Sequence, residues 1–500
     1  MLPAIDAGTG NFKVAVPDNL GNPKLLSTET GQLSFESIVY FDKSGETIIG
    51  SEARNAALVH SERAVFDWKR YMGTDEILYT GDDGKDYRAK DILVILMGEA
   101  KQTVASKTGE PVNEVVVLVP ANYSDRQNQE TLDAGAEAGM SVVLLPKEPT
   151  CAALGNGIHQ RKRCTAVVFD LGAGTFDVSI VRATGNLFEV LMTGGEGKLG
   201  GRDFNERARQ KVLEEFERQF KYRPTPKDDP LFFQSLWQQV EQMKISLGAQ
   251  KGFQLAVACN GDLLKLKVTR EQFESWIADL VDKAIVRTEK TLAEANLAWS
   301  NIDEIYAVGG GSLVPLVRQR LEQVSGKKIS QRCEVYGAHA LGGVIAGRLE
   351  YQRQGKAYRV HDVTLPPPDF CLRDIMSHPI GVAALDGKET EVCCEMLPKN
   401  TPIPSQHTRT FMMTEPDQTA VRIRVLDGHE GALASDCLEL GQFELVDLPA
   451  RPDLIGRIEI TFHIDANAML TATARDTVSG KTGELQIAYK GGRHDGNADE

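Results

Sequence analysis

Two copies of one short pattern combine an aspartate, two glycines and a threonine hydroxyl. Residues 5–16 read Ile-Asp-Ala-Gly-Thr-Gly-Asn-Phe-Lys-Val-Ala-Val, and residues 169–180 read Phe-Asp-Leu-Gly-Ala-Gly-Thr-Phe-Asp-Val-Ser-Ile. Glycine lets backbone N–H groups close around an anion, and the threonine of each copy adds a donor. Asp6 and Asp170 repel phosphate, so their natural partner is a divalent cation that a phosphate also contacts. The two copies together predict a site for a polyphosphate and its metal.

Each copy also has the form of a β-hairpin. An apolar run ends at the aspartate, crosses a glycine turn and resumes with alternating apolar residues. One such turn occurs in many ordinary hairpins, but the repetition favours two facing halves with a nucleotide between them. A third glycine turn, Tyr306-Ala-Val-Gly-Gly-Gly-Ser-Leu-Val-Pro315, suits the nucleoside end of the same ligand, with a plain strand-to-helix turn as the alternative.

Composition limits the classes of protein to which the chain can belong. A chain of 500 residues exceeds what one hydrophobic core supports, so we expect more than one domain. The net charge of −14 argues against nucleic-acid binding, and no apolar run is long enough for a membrane helix. The first strand begins at Leu2, so we expect no signal peptide, and the eight scattered cysteines are typical of reduced thiols. We therefore expect a cytoplasmic protein with neither a nucleic-acid nor a membrane partner.

Helices alternate with strands up to about residue 360, which predicts a layered α/β fold. The predicted strands are 35–41 and 115–119, and the predicted helices are 91–105, 122–139, 204–220, 231–247 and 273–298. Leu365-Pro-Pro-Pro368 cannot lie inside a helix and indicates a linker. Beyond it, short alternating runs predict an antiparallel β-sandwich with strands at 421–426, 440–446, 458–464, 470–474 and 485–489.

Seven segments resemble the 70-kilodalton heat-shock chaperone family of the DnaK type in order and spacing. They are Asp6-Ala-Gly-Thr, Phe66-Asp-Trp-Lys-Arg70, Val119-Pro-Ala121, Glu148-Pro-Thr-Cys-Ala-Ala153, Asp170-Leu-Gly-Ala-Gly-Thr-Phe-Asp177, Leu199-Gly-Gly-Arg-Asp-Phe204 and Val308-Gly-Gly310. The resemblance implies an actin-like, two-lobed ATPase of duplicated ribonuclease-H-like halves, followed by a peptide-binding β-sandwich. The domains it implies are an ATPase at 1–362, a linker at 363–374, a sandwich at 375–490 and a polar tail at 491–500.

The resemblance also implies ATP or ADP and Mg²⁺ as ligands, with a role for each matching residue. Lys69 would be the cation on the γ-phosphate and Glu148 would orient the attacking water, although Lys69 by itself could be a surface lysine. The implied catalytic set is Lys69, Glu148, Asp170 and Thr175. The implied metal set, acting mostly through water, is Asp6, Asp170 and Asp177. The implied nucleotide-binding set is Gly8, Thr9, Gly10, Gly172, Ala173, Gly174, Thr175, Gly200, Gly201, Glu241, Lys244, Gly309, Gly310 and Leu313.

For the sandwich, the resemblance implies a cleft that holds extended apolar peptides of unfolded clients. The residues that line it would be Leu385, Phe411, Thr414, Val421 and Met469, each of which could equally be a core residue.

Glu241 and Lys244 lie three residues apart on one predicted helix, and without the resemblance they would be taken as a surface ion pair.

Several positions depart from the family pattern. Leu313 replaces an arginine that stacks on adenine, Gly248 replaces a serine and Gly10 replaces a threonine, so we expect weaker nucleotide binding. Asn128 and Leu144 replace arginines that serve J-domain partners, which argues against such a partner.

Two further departures concern the linker and the lid. Arg373 brings a charge into the normally apolar linker. The family's helical lid has no counterpart in the sequence, so we expect either a lidless member or a truncated sequence.

Two functions follow from the sequence. The first is an ATP-dependent chaperone of protein folding and the stress response, with slow ATP hydrolysis, client peptides and a nucleotide-exchange factor as partners. The alternative is a regulatory or scaffolding nucleotide-binding protein with weak ATPase activity and one dedicated partner. A sugar kinase or an actin-like filament protein would share the nucleotide site but would leave the β-sandwich unexplained.

Overall fold

A computed structural model describes residues 1–225, 229–330, 335–361, 363–376, 378–386, 389–451, 456–465 and 469–486. The α-helices of the described chain are α1 (Ser51–Ala56), α2 (Ala89–Thr108), α3 (Asp125–Glu137), α4 (Glu148–Gly155), α5 (Gly201–Phe220), α6 (Pro230–Ala249), α7 (Arg270–Glu294), α8 (Pro315–Ser325) and α9 (Ala338–Arg353). The strands up to residue 310 are β1 (Ala4–Ala7), β2 (Asn11–Pro17), β3 (Pro23–Leu25), β4 (Phe35–Glu36), β5 (Val39–Phe41), β6 (Thr47–Ile49), β7 (Ala64–Val65), β8 (Tyr79–Thr80), β9 (Asp86–Tyr87), β10 (Glu114–Leu118), β11 (Ser141–Leu144), β12 (Arg163–Leu171), β13 (Phe176–Thr184), β14 (Leu187–Glu196), β15 (Gly252–Cys259), β16 (Asp262–Thr269) and β17 (Glu304–Val308). The later strands are β18 (Arg359–Val360), β19 (Val363–Thr364), β20 (Cys371–Ile375), β21 (Ile380–Leu385), β22 (Glu391–Leu397), β23 (Pro402–Ile403), β24 (Ser405–Met412), β25 (Val421–Asp427), β26 (Leu438–Leu445), β27 (Gly456–Ile464), β28 (Leu470–Asp476) and β29 (Thr482–Gln486).

The chain separates into two compact units. The first unit consists of Met1–Met72, Glu76–Ala121 and Ala134–Leu372. The second consists of Gly73–Asp75, Asn122–Asp133 and the described chain from residue 373 onward. The break at 372 falls inside the segment predicted to be a linker, and the domain boundaries drawn from the sequence stay predictions.

Two sheets of the first unit share one strand arrangement. In the first sheet, β1 pairs with parallel β10 on one side and with antiparallel β2 on the other. In the second sheet, β12 pairs in the same way with parallel β17 and antiparallel β13. Both hairpins are extended by a further antiparallel strand, β3 in the first sheet and β14 in the second. The repeated glycine pattern is thus part of a repeated sheet.

The central strand β12 is apolar on both faces. Val167, Val168 and Phe169 are consecutive and fully buried. Such continuous apolar runs are typical of strands that are covered by other elements on both sides. The run therefore fixes β12 in the interior and leaves only its last residues, around Asp170, at the edge of a cavity.

Helices α4 and α9 approach each other so closely that only glycine fits at their contact. A Cβ added at Gly342 would lie 1.8 Å from the carbonyl oxygen of Cys151, and one at Gly155 would lie 2.0 Å from that of Ala338. Backbone therefore packs directly against backbone. This contact fixes the position of α9, whose first turn carries a buried histidine, His339, that enters the site described below.

The second unit contains two antiparallel sheets with one shared core. Their strand orders are β22-β21-β25-β26 and β24-β27-β28-β29. Buried side chains of both sheets, such as Val382, Val425 and Phe462, belong to one apolar cluster. This arrangement is a β-sandwich. The same unit buries an ion pair in which Arg457 Nε lies 2.8 Å from Asp476 Oδ1.

Most predicted elements are present, with two corrections. The helix predicted over 273–298 ends at Glu294, because Asn296 adopts a left-handed backbone with φ 55° and the chain turns away. The strand predicted over 35–41 is two strands, separated at Ser37, whose N–H donates to the carbonyl oxygen of Gly10 and whose hydroxyl donates to that of Gly8. Residues 487–489 of the last predicted strand lie outside the described residues.

Candidate functional site

The two glycine turns place Asp6 and Asp170 at matching positions. Across the first hairpin Asp6 pairs with Lys13, and across the second Asp170 pairs with Asp177. Both aspartates are buried, and each is followed by a glycine turn. Backbone packing requires glycine in the first of these turns. A Cβ at Gly8, for example, would lie 2.6 Å from the carbonyl oxygen of Asn11. The two hairpins therefore present the same carboxylate, with a lysine beside the first and a second carboxyl beside the other.

Three buried carboxylates of this region each have a cationic partner. The three pairs are Lys69 Nζ with Glu148 Oε1 (2.5 Å), His339 Nε2 with Asp170 Oδ2 (2.8 Å) and Lys13 Nζ with Asp6 Oδ2 (3.1 Å). Lys69 was predicted here. It lies in a short 3₁₀ turn, Trp68–Tyr71, next to a fully buried tryptophan. The alternative of a surface lysine is wrong, because the Lys69 side chain is only 7% exposed.

Burial and charge act in opposite directions on the pKa values of these carboxyls. Burial raises the pKa of Glu148, Lys69 opposes the rise, and the nearby charges of Asp6 and Asp170 add to it, so the pKa stays above its ordinary value. Burial acts upward on Asp6 too, but the charges of Lys13 and the other nearby cations hold its pKa below the ordinary value. Glu148 is therefore the more basic of the two carboxylates.

Asp177 lies behind Asp170 on strand β13. Burial raises its pKa well above the ordinary value, and the negative charges of Glu148 and Asp170 add to the effect. Its Oδ1 atom is buried and makes no hydrogen bond within the described part of the chain. Burial and the neighbouring negative charges thus favour the uncharged form of this carboxyl.

His339 is a site residue that the sequence did not reveal. Burial alone would lower its pKa, but the charge of Asp170 and the hydrogen bond to it raise the pKa to about 9. The ring therefore carries a proton at neutral pH, and both of its nitrogens are donors.

The charged side chains line a single cavity of about 890 Å³, a volume within the range of small-molecule sites (about 300–1,000 Å³). The predicted residues that line it are Asp6, Gly8, Thr9, Gly10, Lys69, Glu148, Asp170, Gly172, Ala173, Thr175, Gly201, Glu241, Lys244, Gly309, Gly310 and Leu313. The predicted residues outside its lining are Gly174, Gly200 and Asp177. A Cβ at Gly200 would lie 2.5 Å from the carbonyl oxygen of Ala173, so this glycine packs against the turn and does not face the cavity.

Glu241 and Lys244 lie together on α6 at one end of the cavity. Glu241 Oε2 accepts a hydrogen bond from Arg54 Nη1 at 2.9 Å, and Lys244 Nζ donates to the carbonyl oxygen of Gly201 at 3.1 Å. Burial lowers the pKa of Lys244 to about 8, against the opposing charge of Glu241. The two residues are therefore not a simple surface ion pair.

Open space next to these residues suits a ligand. A Cβ at Gly248 or Gly310 would meet no atom within 4 Å, and both glycines line the cavity beside Leu313. At Gly309 the backbone is left-handed, with φ 76°, which favours glycine. The third glycine turn thus leaves room against its backbone for a flat group.

Within the described residues, no group of three or more His, Cys, Asp or Glu side chains could hold a metal by itself. The carboxylates Asp6 and Asp170 still fit a cation that is held through water and phosphate, and the unpaired oxygen of Asp177 lies behind them. A metal that reached this cavity would therefore depend on its ligand and on water for most of its coordination.

Three ion pairs connect residues 54–70 with residues 202–241, and we call them the bridging pairs. They are Arg54 with Glu241, Asp67 with Arg202 and Arg70 with Asp203. Arg70 Nη2 also donates to the carbonyl oxygen of Gly174 at 2.7 Å. In the sequence, only the charges of their members are visible.

The residues predicted to bind peptide occupy different environments on the sandwich. Leu385 and Thr414 are exposed, and Phe411, Val421 and Met469 are half-buried. Phe411 and Val421 pack against the sandwich core, which is the alternative that the sequence left open for them.

No helix in the part of the chain that the structure describes is long and apolar enough to cross a membrane.

Comparison with known proteins gives the family. A family model described as Hsp70 protein matches residues 3–500, almost the whole chain. Members of this family are in general ATPases that use nucleotide and Mg²⁺ and bind client peptides and co-chaperones. Membership of the family implies a two-lobed, actin-like ATPase with a β-sandwich, and the described chain is mixed α/β. The resemblance inferred from the sequence is confirmed, and the chain belongs to the Hsp70 protein family.

Proposed function

We propose that the protein is an ATP-dependent chaperone, which binds and hydrolyses Mg-ATP in the cavity of the first unit. The observation that carries this proposal is the convergence of both glycine turns on one cavity that also holds the Lys69–Glu148 pair. We further propose that the two similar sheets are duplicated ribonuclease-H-like halves, and that the domain boundaries are 1–362, 363–374 and 375–490.

The phosphate end of the ligand would lie between the two hairpins. Backbone N–H groups of the turns at Gly8–Gly10 and Gly172–Thr175 would donate to phosphate oxygens, as glycine turns do in other anion sites. Asp6 and Asp170 would accept hydrogen bonds from water around Mg²⁺, with Asp177 behind them. When bound, the metal would neutralise phosphate charge.

Lys69 and Glu148 would act on the reacting phosphate. The ammonium of Lys69 would stabilise negative charge on the transferred phosphoryl group. Glu148, whose pKa is raised by burial, is suited to orient the attacking water and to accept its proton. Their contact of 2.5 Å places both groups at one point of the cavity.

The nucleoside end would lie against α6 and the third glycine turn. Glu241 and Lys244 would hold the ribose, and Leu313 would cover one face of the base in place of a stacked arginine. The space beside Gly248 supports the expectation of weaker nucleotide binding, because no side chain fills it.

The sandwich would bind extended apolar segments of unfolded proteins. Leu385 and Thr414, which are exposed, are the better candidates for direct contact, and Phe411, Val421 and Met469 would support the same surface. A nucleotide-exchange factor is a further partner on this proposal.

One observation favours the second candidate function, a regulatory or scaffolding protein. The two positions at which the family's arginines serve J-domain partners hold Asn128 and Leu144, and both side chains are buried. Neither can present a positive charge to a partner.

Single-turnover ATP hydrolysis with and without an apolar peptide tests the proposal and separates the two functions. A chaperone should hydrolyse ATP slowly and respond to the peptide, and the response should disappear in Lys69→Ala. Tight ATP binding with no hydrolysis and no response to the peptide would support the scaffold instead. If the protein does not bind Mg-ATP in calorimetry, both functions are wrong.

A further inference from the structure

Lys13 occupies the position at which the second hairpin carries a carboxyl. Asp6 pairs with Lys13 in the strand register, and Asp170 pairs with Asp177. The two hairpins are otherwise alike in their aspartate, their glycines and their strand neighbours. The exchange of a carboxyl for an ammonium therefore gives the two hairpins opposite charges at this position.

The Lys13 side chain lies in the cavity. It is only 16% exposed, it belongs to the lining, and its Nζ atom is 3.1 Å from Asp6 Oδ2. An ammonium has three donors, and Asp6 accepts one of them. The neighbours of Lys13 on the same strand, Val14 and Ala15, show that apolar residues fill this strand where only packing is required.

The charge of Lys13 also favours an anion in the cavity. Four carboxylates line it, Asp6, Glu148, Asp170 and Glu241, together with three lysines, Lys13, Lys69 and Lys244, and the imidazole of His339. Lys13 is therefore one of three lysines that offset the carboxylates, and without it the lining would repel a polyphosphate more strongly.

We propose that Lys13 is a phosphate-binding cation of this cavity, and that it allows the protein to bind a nucleoside polyphosphate without a divalent metal. The inference rests on the proposed function of the cavity as a nucleotide site. Lys13 would donate to a phosphate oxygen while it keeps its contact with Asp6. It would thereby supply positive charge from the first hairpin itself, whereas residues 169–180 of the second hairpin contain no lysine or arginine.

Calorimetric titration of the full chain with ATP, in Mg²⁺ and separately in excess EDTA, tests this inference. In the wild type, removal of Mg²⁺ should weaken ATP binding by less than about tenfold, because Lys13 remains. In Lys13→Met, the metal-free affinity should fall by about tenfold to a hundredfold, the usual effect of losing a hydrogen bond from a charged donor. Lys24→Met is the matched control, because it removes an exposed lysine from the neighbouring strand β3 and should bind like the wild type.

A second pair of variants separates phosphate binding from a structural role. If Lys13 only neutralises Asp6, the double variant Asp6→Asn/Lys13→Met should bind metal-free ATP as tightly as Asp6→Asn alone, and that result would overturn the inference. If Lys13 holds phosphate, the double variant should bind metal-free ATP at least about tenfold more weakly than Asp6→Asn. Lys13→Arg, which keeps the charge, should recover most of the loss.

Adenosine serves as the probe without phosphate. Its affinity should be the same in the wild type and in Lys13→Met, and an equal loss for adenosine and ATP would count against a phosphate contact. A wild type that binds neither Mg-ATP nor metal-free ATP would overturn the nucleotide function itself. If the wild type binds Mg-ATP but its affinity for ATP in EDTA is about a thousandfold lower or more, only the role of Lys13 would be overturned.

Discussion

Lys69 Nζ lies 2.5 Å from Glu148 Oε1. Both residues line the cavity, and both side chains are almost fully shielded from solvent. The lysine is thus held against the carboxylate that is proposed to orient water. Each group depends on the other, because burial raises the pKa of Glu148 and the charge of Lys69 opposes that rise. Loss of Lys69 should therefore raise the pKa of Glu148 further, and loss of Glu148 would leave the ammonium of Lys69 without this partner.

Lys69→Ala should slow single-turnover ATP hydrolysis by at least about a hundredfold, with little change in ATP affinity. The lost cation would act mainly on charge that develops during the reaction. Rapid-quench measurement at saturating ATP gives the rate, and calorimetry gives the affinity. Glu148→Gln should be slow as well, and the double variant should be no slower than the slower single variant, because the pair acts as a unit. Equal rates for wild type and Lys69→Ala would contradict the assignment.

Leu313→Arg combined with Gly248→Ser should tighten ATP binding by about thirtyfold, since a stacked guanidinium and one added hydrogen bond are each worth about 1 kcal/mol. The serine can be accommodated, because a Cβ at Gly248 meets no atom within 4 Å. Calorimetry with ATP and with adenosine should show the same gain for both ligands. A gain for ATP alone would mean that these residues do not lie at the adenosine end.

Gly342→Ala should lower the free energy of unfolding of the first unit by about 3 kcal/mol or more, because the added Cβ would lie 1.8 Å from the carbonyl oxygen of Cys151. Urea unfolding followed by tryptophan fluorescence measures this unit specifically. The four tryptophans of the chain, Trp68, Trp237, Trp276 and Trp299, all belong to it.

Gly98→Ala is the matched control for this substitution. Gly98 lies inside α2, and a Cβ there would meet no atom within 4 Å. The variant should be more stable than the wild type by about 1 kcal/mol, the difference in helix propensity between the two residues. Equal destabilisation in both variants would show that the contact between α4 and α9 is not specific.

Asp476→Asn should destabilise the sandwich by about 3–5 kcal/mol, because Arg457 would keep a buried charge without its partner. The hydrogen bond from Arg457 lowers the pKa of Asp476, so its stabilising effect is present above the ordinary aspartate value of about 3.9 and is lost as the pH falls below it. The protection of amides in β27 and β28 from hydrogen exchange, corrected for the intrinsic pH dependence of exchange, should therefore fall in acid in the wild type and depend less on pH in the variant. Asp417→Asn, at an exposed position with a left-handed backbone, is the control that should leave this exchange unchanged.

The sequence predicted the parts of the site that depend on local chemistry. A glycine turn after an aspartate specifies its own hairpin, and for this reason Asp6, Asp170 and the residues of both turns could be named in advance. Lys13 was visible in the same pattern but carried no meaning there, because its position opposite Asp6 depends on the strand register. Lys13 follows Asp6 at the same spacing at which Asp177 follows Asp170. This equivalence was the signal that could have identified Lys13 as a site residue.

His339 could not be found in this way. It begins a helix whose approach to the site depends on the glycine contact between α4 and α9, and such a contact between distant segments leaves no periodic trace in the sequence. The peptide-binding residues were similarly limited. Alternation predicts which residues face the sandwich core, but it does not show which exposed residues form a binding surface.

The bridging pairs have a consequence for the rate at which a ligand exchanges. Movement of residues 54–70 away from residues 202–241 would separate three ion pairs, so a ligand whose exit depends on this movement is released more slowly while the pairs hold. All six side chains are partly accessible to solvent, so added salt weakens each pair. Release of such a ligand should therefore accelerate with ionic strength. The residence time of the ligand would then depend on the salt concentration even though the structure of the site does not change.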